Sequence, residues 1–217
     1  MKKTIATILI FLIVTSLSFA QESGCISGDC KNGYGTYKSE SGDKYEGNFK
    51  DGLFNGHGTF YYANGEKYEG NFKDDKRNGE GTSYYTNGNK YVGSYKDNYQ
   101  NGHGTLYRAD GTKKYEGNFK DGLFNGEGTL YYPNGAKYVG NFKDDLYNGE
   151  GTLYFANGDK YIGNFKDDLY NGKGTFYLAN GNRYSGKFKD NKPQNGAVYN
   201  SNGTKLGEVK NGVPVEN

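Results

Sequence analysis

Tyr68-Glu69-Gly70-Asn71-Phe72-Lys73-Asp74, followed by Asn78-Gly79-Glu80-Gly81-Thr82 and Asn87-Gly88, is the stretch that recurs along this chain. Its opening pattern, Tyr-x-Gly-x-Phe/Tyr-Lys, starts at Tyr45, Tyr68, Tyr91, Tyr115, Tyr138, Tyr161 and Tyr184. Successive starts are 23 residues apart, except for one step of 24 between Tyr91 and Tyr115. A period that holds over seven copies is typical of a repeat array and not of a single globular core.

Alternation with period two predicts two β-strands in each copy. The first covers residues 67–73 and places Tyr68, Gly70 and Phe72 on one face. A glycine inside a strand weakens it unless something large must approach that position. We therefore expect aromatic rings to lie over the bare backbone of the neighbouring strand. The residues expected to repeat this arrangement are Tyr45, Gly47, Phe49, Tyr68, Gly70, Phe72, Tyr115, Gly117, Phe119, Tyr138, Gly140, Phe142, Tyr161, Gly163 and Phe165.

Two kinds of turn separate the strands in this interpretation. Residues 74–79 are expected to form a longer turn, and residues 80–86 the second strand. Asn87-Gly88 is expected to form a tight two-residue hairpin turn, because both central positions of such a turn need positive φ. Alternating turns predict an all-β, elongated single sheet of stacked antiparallel hairpins, with about seven or eight copies.

The chain has expected segments at both ends of the array. Lys2-Lys3, the apolar run of residues 5–14 and the small residues Ser18 and Ala20 are typical of a secretory signal peptide over residues 1–20. Residues 21–31 follow as an N-terminal segment, residues 32–190 form the array, and residues 191–217 form a degenerate repeat and cap. Export would place the protein in the periplasm, at the cell surface or outside the cell.

Cys25 and Cys30 are the only cysteines and follow the export signal. An exported pair five residues apart most simply forms a local disulfide.

Without Lys2 and Lys3, the chain has 25 basic and 25 acidic residues. A net charge of zero does not recruit nucleic acid or an anionic membrane over long range.

Tyr45-Glu46-Gly47-Asn48-Phe49 and Asn55-Gly56-His57-Gly58-Thr59, recurring at 23 residues, closely resemble MORN (membrane occupation and recognition nexus) repeats. The resemblance covers residues 31 to 190 approximately. It implies an elongated, twisted single sheet and a non-catalytic role in protein–protein assembly. In some members it also implies an association with lipid.

The resemblance implies basic or polar residues just before the first Asn-Gly of each copy, and Lys76-Arg77 fits that pattern. Four other copies carry an apolar pair there instead. If exposed, such pairs would form a ridge for docking a partner; if folded back, they would plug the end of the sheet. The pairs are Leu53-Phe54, Leu123-Phe124, Leu146-Tyr147 and Leu169-Tyr170.

A second candidate surface is a row of tyrosines on the face opposite the motif glycines. Tyrosines in a row could stack on sugars or grip a peptide, or could serve only as cross-strand pairs. The row comprises Tyr61, Tyr84, Tyr107, Tyr131, Tyr154 and Tyr177.

Enzymatic readings have little support in the sequence. It holds no Ser/His/Asp grouping, metal-ligand cluster, phosphate loop or cofactor fingerprint. We therefore expect no enzyme, cofactor, metal or small-molecule substrate, and predict a protein-binding scaffold with an unidentified protein partner. The alternative is a module that binds a glycan or lipid surface through the tyrosines and the apolar ridge.

The signal peptide gives the first testable prediction. Cleavage after Ala20 should leave a mature chain that begins at Gln21, measurable by intact mass or N-terminal sequencing of protein from the native cell. A chain that retains Met1 and sediments with membranes would contradict it.

Overall fold

A computed structural model describes residues 23–215, and the predicted signal peptide lies outside the described residues. Between these bounds the chain forms only β-strands and turns. The strands are β1 (Gly24–Gly28), β2 (Tyr34–Lys38), β3 (Lys44–Lys50), β4 (Leu53–Tyr61), β5 (Lys67–Lys73), β6 (Lys76–Tyr84), β7 (Lys90–Lys96), β8 (Tyr99–Tyr107), β9 (Lys113–Lys120), β10 (Leu123–Tyr131), β11 (Lys137–Lys143), β12 (Leu146–Tyr154), β13 (Lys160–Lys166), β14 (Leu169–Tyr177), β15 (Arg183–Lys189), β16 (Lys192–Tyr199), β17 (Lys205–Lys210) and β18 (Val213–Val215).

Every strand pairs antiparallel with the next strand along the chain, which gives one eighteen-stranded sheet. This architecture confirms the predicted array of stacked hairpins. No helix capable of crossing a bilayer occurs in residues 23–215.

A row of glycines crosses the sheet at one register position. Gly47 pairs with Gly58, and Gly58 pairs in turn with Gly70 on the next strand. The row runs on through Gly81, Gly93, Gly104, Gly117, Gly128, Gly140, Gly151, Gly163, Gly174, Gly186 and Gly196. The repeat therefore keeps its register from strand to strand.

The motif tyrosines fill the space that these glycines leave. A Cβ atom added to Gly128 would lie 2.6 Å from Cζ of Tyr115, so only glycine fits beneath that ring. Tyr115 is fully buried, and its hydroxyl donates a hydrogen bond to the Asn118 carbonyl oxygen at 2.9 Å. This contact confirms the predicted packing of rings over bare backbone.

The rings also contact one another along the sheet. The Tyr115 ring is edge-on to Phe119 at 5.1 Å and to Phe142 of the next copy at 5.2 Å. Each aromatic pair contributes about 0.5–1.5 kcal/mol beyond its buried area. Because every copy repeats these contacts, the core is one continuous layer of rings on one face of the sheet.

The turns are the reverse of the sequence prediction. The tight two-residue turn is Asp74-Asp75, where both residues have positive φ (49° and 65°), and β6 already begins at Lys76. Asn87-Gly88 lies instead in a five-residue connection, in which Gly88 N donates to the Tyr85 carbonyl oxygen and only Gly88 has positive φ. Aspartate tolerates the left-handed region, and this allows it to supply the type I′ turn.

The turn aspartates also link neighbouring hairpins. The Asp75 carboxylate accepts a hydrogen bond from Phe54 N at 2.7 Å, and Asp75 N donates to the Phe54 carbonyl oxygen at 3.1 Å. Asp145 and Asp168 make the same reciprocal contacts with Phe124 and Tyr147. These bonds satisfy backbone groups at the irregular start of the preceding long strand.

Both ends of the described chain continue the sheet. Cys25 and Cys30 form the expected disulfide, which closes the segment that leads from β1 into β2. At the other end, Gly196 takes the second-glycine position opposite Gly186, and β17 and β18 add to the same sheet.

Replacing Gly128 with alanine tests the packing of rings on glycine. The added methyl group must displace the Tyr115 ring, so we expect a loss of about 1–3 kcal/mol in the free energy of unfolding. Gly207→Ala is the matched control, because its Cβ would meet only the Val215 oxygen, at 3.9 Å. Equal denaturation midpoints for the two variants would contradict the packing argument.

Candidate interaction surface

The face opposite the rings, called the open face below, carries three rows of side chains that cross the strands, beside a fourth row at its edge in which the last lysine of a short strand pairs with the first residue of the long strand, as in Lys143 and Leu146. The first row alternates Lys or Arg with Tyr, as in the pair Lys137 and Tyr154. The second row holds Glu, Thr, Val or Ile, and the third holds mainly Asn, Glu or His. Because side chains alternate along a strand, all three rows stay on the face away from the aromatic core.

The predicted tyrosine row lies on the open face, half-exposed. Tyr61, Tyr84 and Tyr154 expose between 36% and 39% of their surface. A lysine ammonium lies 4.2 Å from the centre of the Tyr84 ring and 5.0 Å from that of Tyr154. Tyr131 instead accepts a hydrogen bond from Arg108 at its backbone oxygen. The rings are therefore presented with cations over them, and a role in binding stays a prediction.

The apolar pairs lie at the starts of strands, not on long turns. The two residues of each pair point to opposite faces of the sheet. The aromatic member enters the core: Phe54, Phe124, Tyr147 and Tyr170 stack on Tyr45, Tyr115, Tyr138 and Tyr161 with ring centres 3.7–3.9 Å apart. The leucines remain outside: Leu53, Leu123, Leu146 and Leu169 are 36–40% exposed. Each pair thus contributes both an internal plug and an apolar surface residue.

The copies without this aromatic residue replace the ring stack with polar contacts. The Arg77 guanidinium lies 5.6 Å from the centre of the Tyr68 ring and 5.1 Å from that of Tyr95. Gln100 Nε2 donates to the Tyr85 hydroxyl at 2.9 Å. A planar guanidinium is suited to packing on aromatic faces.

A groove follows the glycine row on the open face. One stretch of it, with a volume of about 800 Å³, crosses β11 to β16. Gly151, Gly163 and Gly174 form its floor, between the second and third rows of side chains. This groove was not predicted from the sequence, although the recurrence of glycine at one position of each repeat strand is a signal for it.

No group of three or more metal-ligating side chains occurs in residues 23–215. His57 and His103 are exposed members of the third row, in different hairpins of the array. Each acidic residue of the open face either recurs at the same position in several copies or replaces the usual residue of that position in one copy. The geometry of this face suits contact with an extended partner.

A scan against protein-family models matches the MORN repeat at residues 24–44, 45–67, 68–90, 91–113, 115–137, 138–160 and 161–183. The chain belongs to the MORN-repeat family. The first matched repeat begins at Gly24 and so includes the disulfide-linked segment. No curated protein matches this MORN-repeat chain.

Solved structures with a similar chain path include two TCP domains. One is the TCP domain of Drosophila melanogaster SAS-4 in complex with a proline-rich motif of Ana2, with 14% identity, a TM-score of 0.35, and 94% of this chain and 96% of that chain covered. The other is a variant TCP10 domain of Danio rerio CPAP, with 10% identity, a TM-score of 0.27, and coverage of 82% and 89%.

The division of the apolar pairs predicts opposite effects for adjacent residues. Tyr147→Ala removes a buried ring stacked on Tyr138 and should cost about 3 kcal/mol of unfolding free energy. Leu146→Ser changes an exposed position and should stay within about 0.5 kcal/mol of the parent protein. Denaturant titration of the two variants measures both values, and a larger loss for Leu146→Ser would refute the assignment.

The buried ring layer also predicts alkaline unfolding. Burial raises the pKa of Tyr68, Tyr161 and Tyr170 to about 12, whereas an unfolded tyrosine ionises near pH 10. The unfolded state therefore loses protons first, and stability should be complete below pH 10 and fall as pH rises toward 12.

Circular dichroism, with tyrosinate absorbance followed in parallel, would measure this transition. Tyr161→Phe removes one such group and should make the decline of stability less steep. Ionisation of all tyrosines near pH 10 with the fold intact would contradict the prediction.

Proposed function

We propose that this MORN-repeat protein is a non-catalytic scaffold that binds a protein partner along its open face, in the cell envelope or outside the cell. The repeat family and its fold fit a non-catalytic repeat protein. The protein-binding role and the location are the further steps, supported by surface chemistry and by the signal-like N-terminus.

The observation that carries the proposal is a ridge of exposed apolar residues at one edge of the open face. Tyr99, Leu123, Leu146 and Leu169 occupy the same position in four consecutive copies and are 36–58% exposed. Two strands of about 4.8 Å separate neighbouring copies, so the ridge extends over roughly 29 Å. An aligned apolar strip of this kind is typical of a protein-binding surface.

The alternative, a surface that binds glycan or lipid through the tyrosines, has weaker support. Lysine ammonium groups already lie over the Tyr84, Tyr154 and Tyr177 rings. A sugar that stacked on the same ring face would have to displace them. Binding to vesicles or to cell-wall material remains a measurable alternative outcome.

Site-specific photo-crosslinking in the native cell tests the proposal. A photoreactive side chain at Leu146 should capture a discrete protein partner, because Leu146 lies on the ridge and is not needed for the core. The matched control is the same side chain at Asn134, an exposed residue in the loop at the opposite end of the hairpin.

Capture from Leu146 but not from Asn134, abolished by excess unlabelled protein, is the expected result. Equal capture from both positions would contradict a specific ridge. Retention on vesicles or glycan, without any protein adduct, would favour the alternative.

A further inference from the structure

One hairpin of the open face departs from all its neighbours. Lys173 on β14 and Lys187 on β15 are direct cross-strand partners in the third row. Like charges directly opposite one another destabilise a sheet. The corresponding pairs in other hairpins contain no lysine or arginine: His57 with Asn71, Glu80 with Ser94, His103 with Asn118, Glu127 with Asn141, and Glu150 with Asn164.

The cations near this pair also lack the neighbouring carboxylates that form ion pairs with the equivalent cations of earlier copies. In earlier copies Lys44, Lys67 and Lys113 form ion pairs with Glu46, Glu69 and Glu116 of the second row. Val139, Ile162 and Ser185 take the place of that glutamate beside Lys137, Lys160 and Arg183. Among the described residues, none of these three cations, nor Lys173 or Lys187, has a carboxylate within ion-pair distance.

The three rows are consequently divided by charge along the array. Over residues 44–128 they are balanced, with the cations Lys44, Lys67, Lys90, Lys113 and Lys114 and the acids Glu46, Glu69, Glu80, Glu116 and Glu127. Over residues 129–196 they carry Lys137, Lys160, Lys173, Arg183 and Lys187 against the single acid Glu150. The groove of about 800 Å³ lies in this second, cationic part.

Shape and spacing specify the kind of anion. The groove crosses six strands, β11 to β16, or about 24 Å at 4.8 Å per step. Exposed Val139 and Ile162 lie at equivalent positions one copy apart, about 9.6 Å, and Ser185 takes the next such position. A polyproline II chain repeats its side-chain direction every three residues, about 9.3 Å, whereas a β-strand repeats it about every 6.7 Å. An extended peptide with an apolar residue at every third position therefore matches the groove.

We propose that the cationic groove, lined by Lys173, Lys187 and the apolar Ile162 and flanked by Lys160 and Arg183 of the first row, binds an extended acidic peptide segment of a partner protein. The segment would span about eight residues at the polyproline II rise, with apolar side chains over Val139 and Ile162 and carboxylates beside the lysines. This inference deepens the proposed function and rests on its choice of a protein partner.

Other anionic polymers fit the groove less well. Nucleic acid requires a strongly basic domain, and the part of the chain after Lys3 is balanced in charge. An anionic polysaccharide would have no use for the apolar residues between the cations, and the Tyr177 ring already has Lys160 over it at 4.8 Å. An acidic peptide uses both the apolar and the cationic positions.

A peptide of repeated Glu-Ile-Pro triplets, fluorescently labelled and long enough to span the groove, is the probe. Fluorescence anisotropy should show saturable binding to the full chain that weakens as salt increases, because exposed charges are screened. A Lys-Ile-Pro peptide of equal length should not bind. Binding of the two peptides to equal extents would overturn the proposal.

The array itself offers a variant that should fold normally. Lys173→Glu combined with Lys187→Asn gives this hairpin the same pair as Glu150 and Asn164 in the preceding hairpin. We expect a denaturation midpoint equal to or above that of the parent protein, because a like-charged pair is removed, and an affinity for the acidic peptide reduced about tenfold or more. Unchanged affinity in the folded variant would refute the assignment.

The reciprocal change tests sufficiency. Glu127→Lys with Asn141→Lys extends the cationic pair into another hairpin and should strengthen peptide binding several-fold, whereas weaker binding would count against the proposal.

Polygalacturonate serves as the anionic polysaccharide probe: if it binds in a Lys173-dependent manner and the peptide does not, the proposal is wrong.

The outcomes separate this inference from the proposed function. If the peptide does not bind while photo-crosslinking at Leu146 still captures a protein, the acidic-peptide assignment fails and the scaffold proposal stands. If the peptide binds through Lys173 and Lys187 but no protein is captured in cells, the groove assignment stands and the scaffold proposal fails.

Discussion

The tyrosine ring that rests on paired glycines is the contact on which this structure depends. Tyr115 covers Gly117 and Gly128: a methyl group on Gly128 would overlap its ring, and one on Gly117 would overlap its hydroxyl and the Gly128 backbone. The phenol hydroxyl is satisfied at the Asn118 carbonyl, so a polar group is buried without losing its hydrogen bond. Since the same contact recurs in every copy, a chain with few aliphatic residues can still bury a continuous apolar layer.

This packing has consequences on both faces of the sheet. The core face is covered by interlocking rings, namely the motif tyrosine, the motif phenylalanine and, in most copies, the stacked aromatic residue at the start of the long strand. Arg77 and Gln100 take the place of that last ring in two copies. On the other face the glycines leave a depression that the neighbouring rows do not fill. The demand for close packing on one side thus creates the groove on the other.

Repetition arranges the side chains of the open face in regular rows. The backbone places equivalent side chains about 9.6 Å apart, and substitutions at those positions change the surface without disturbing the core. The exposed leucines and the unpaired lysines of residues 129–196 are such substitutions. In the proposed function, a partner would contact this linear pattern of apolar and charged positions along the array.

The sequence alone determined the repeat, the strand faces and the burial of the motif rings, because alternation and period are local properties of the chain. The turn types were assigned in reverse. Asp-Gly at residues 51–52 and 121–122 is as strong a tight-turn signal as Asn-Gly, and only the pairing of the flanking strands decided which connection was short.

Tertiary structure alone decided which side chains are buried or exposed, and which face one another, through contacts between strands. It divided each apolar pair between the core and the surface, because the aromatic member stacks on a tyrosine nine residues away across the hairpin. It also placed Lys173 opposite Lys187, a contact between residues on different strands that no local pattern contains. Register between strands is set by turns and by packing together, and this is the physical reason why the surface emerged only with the fold.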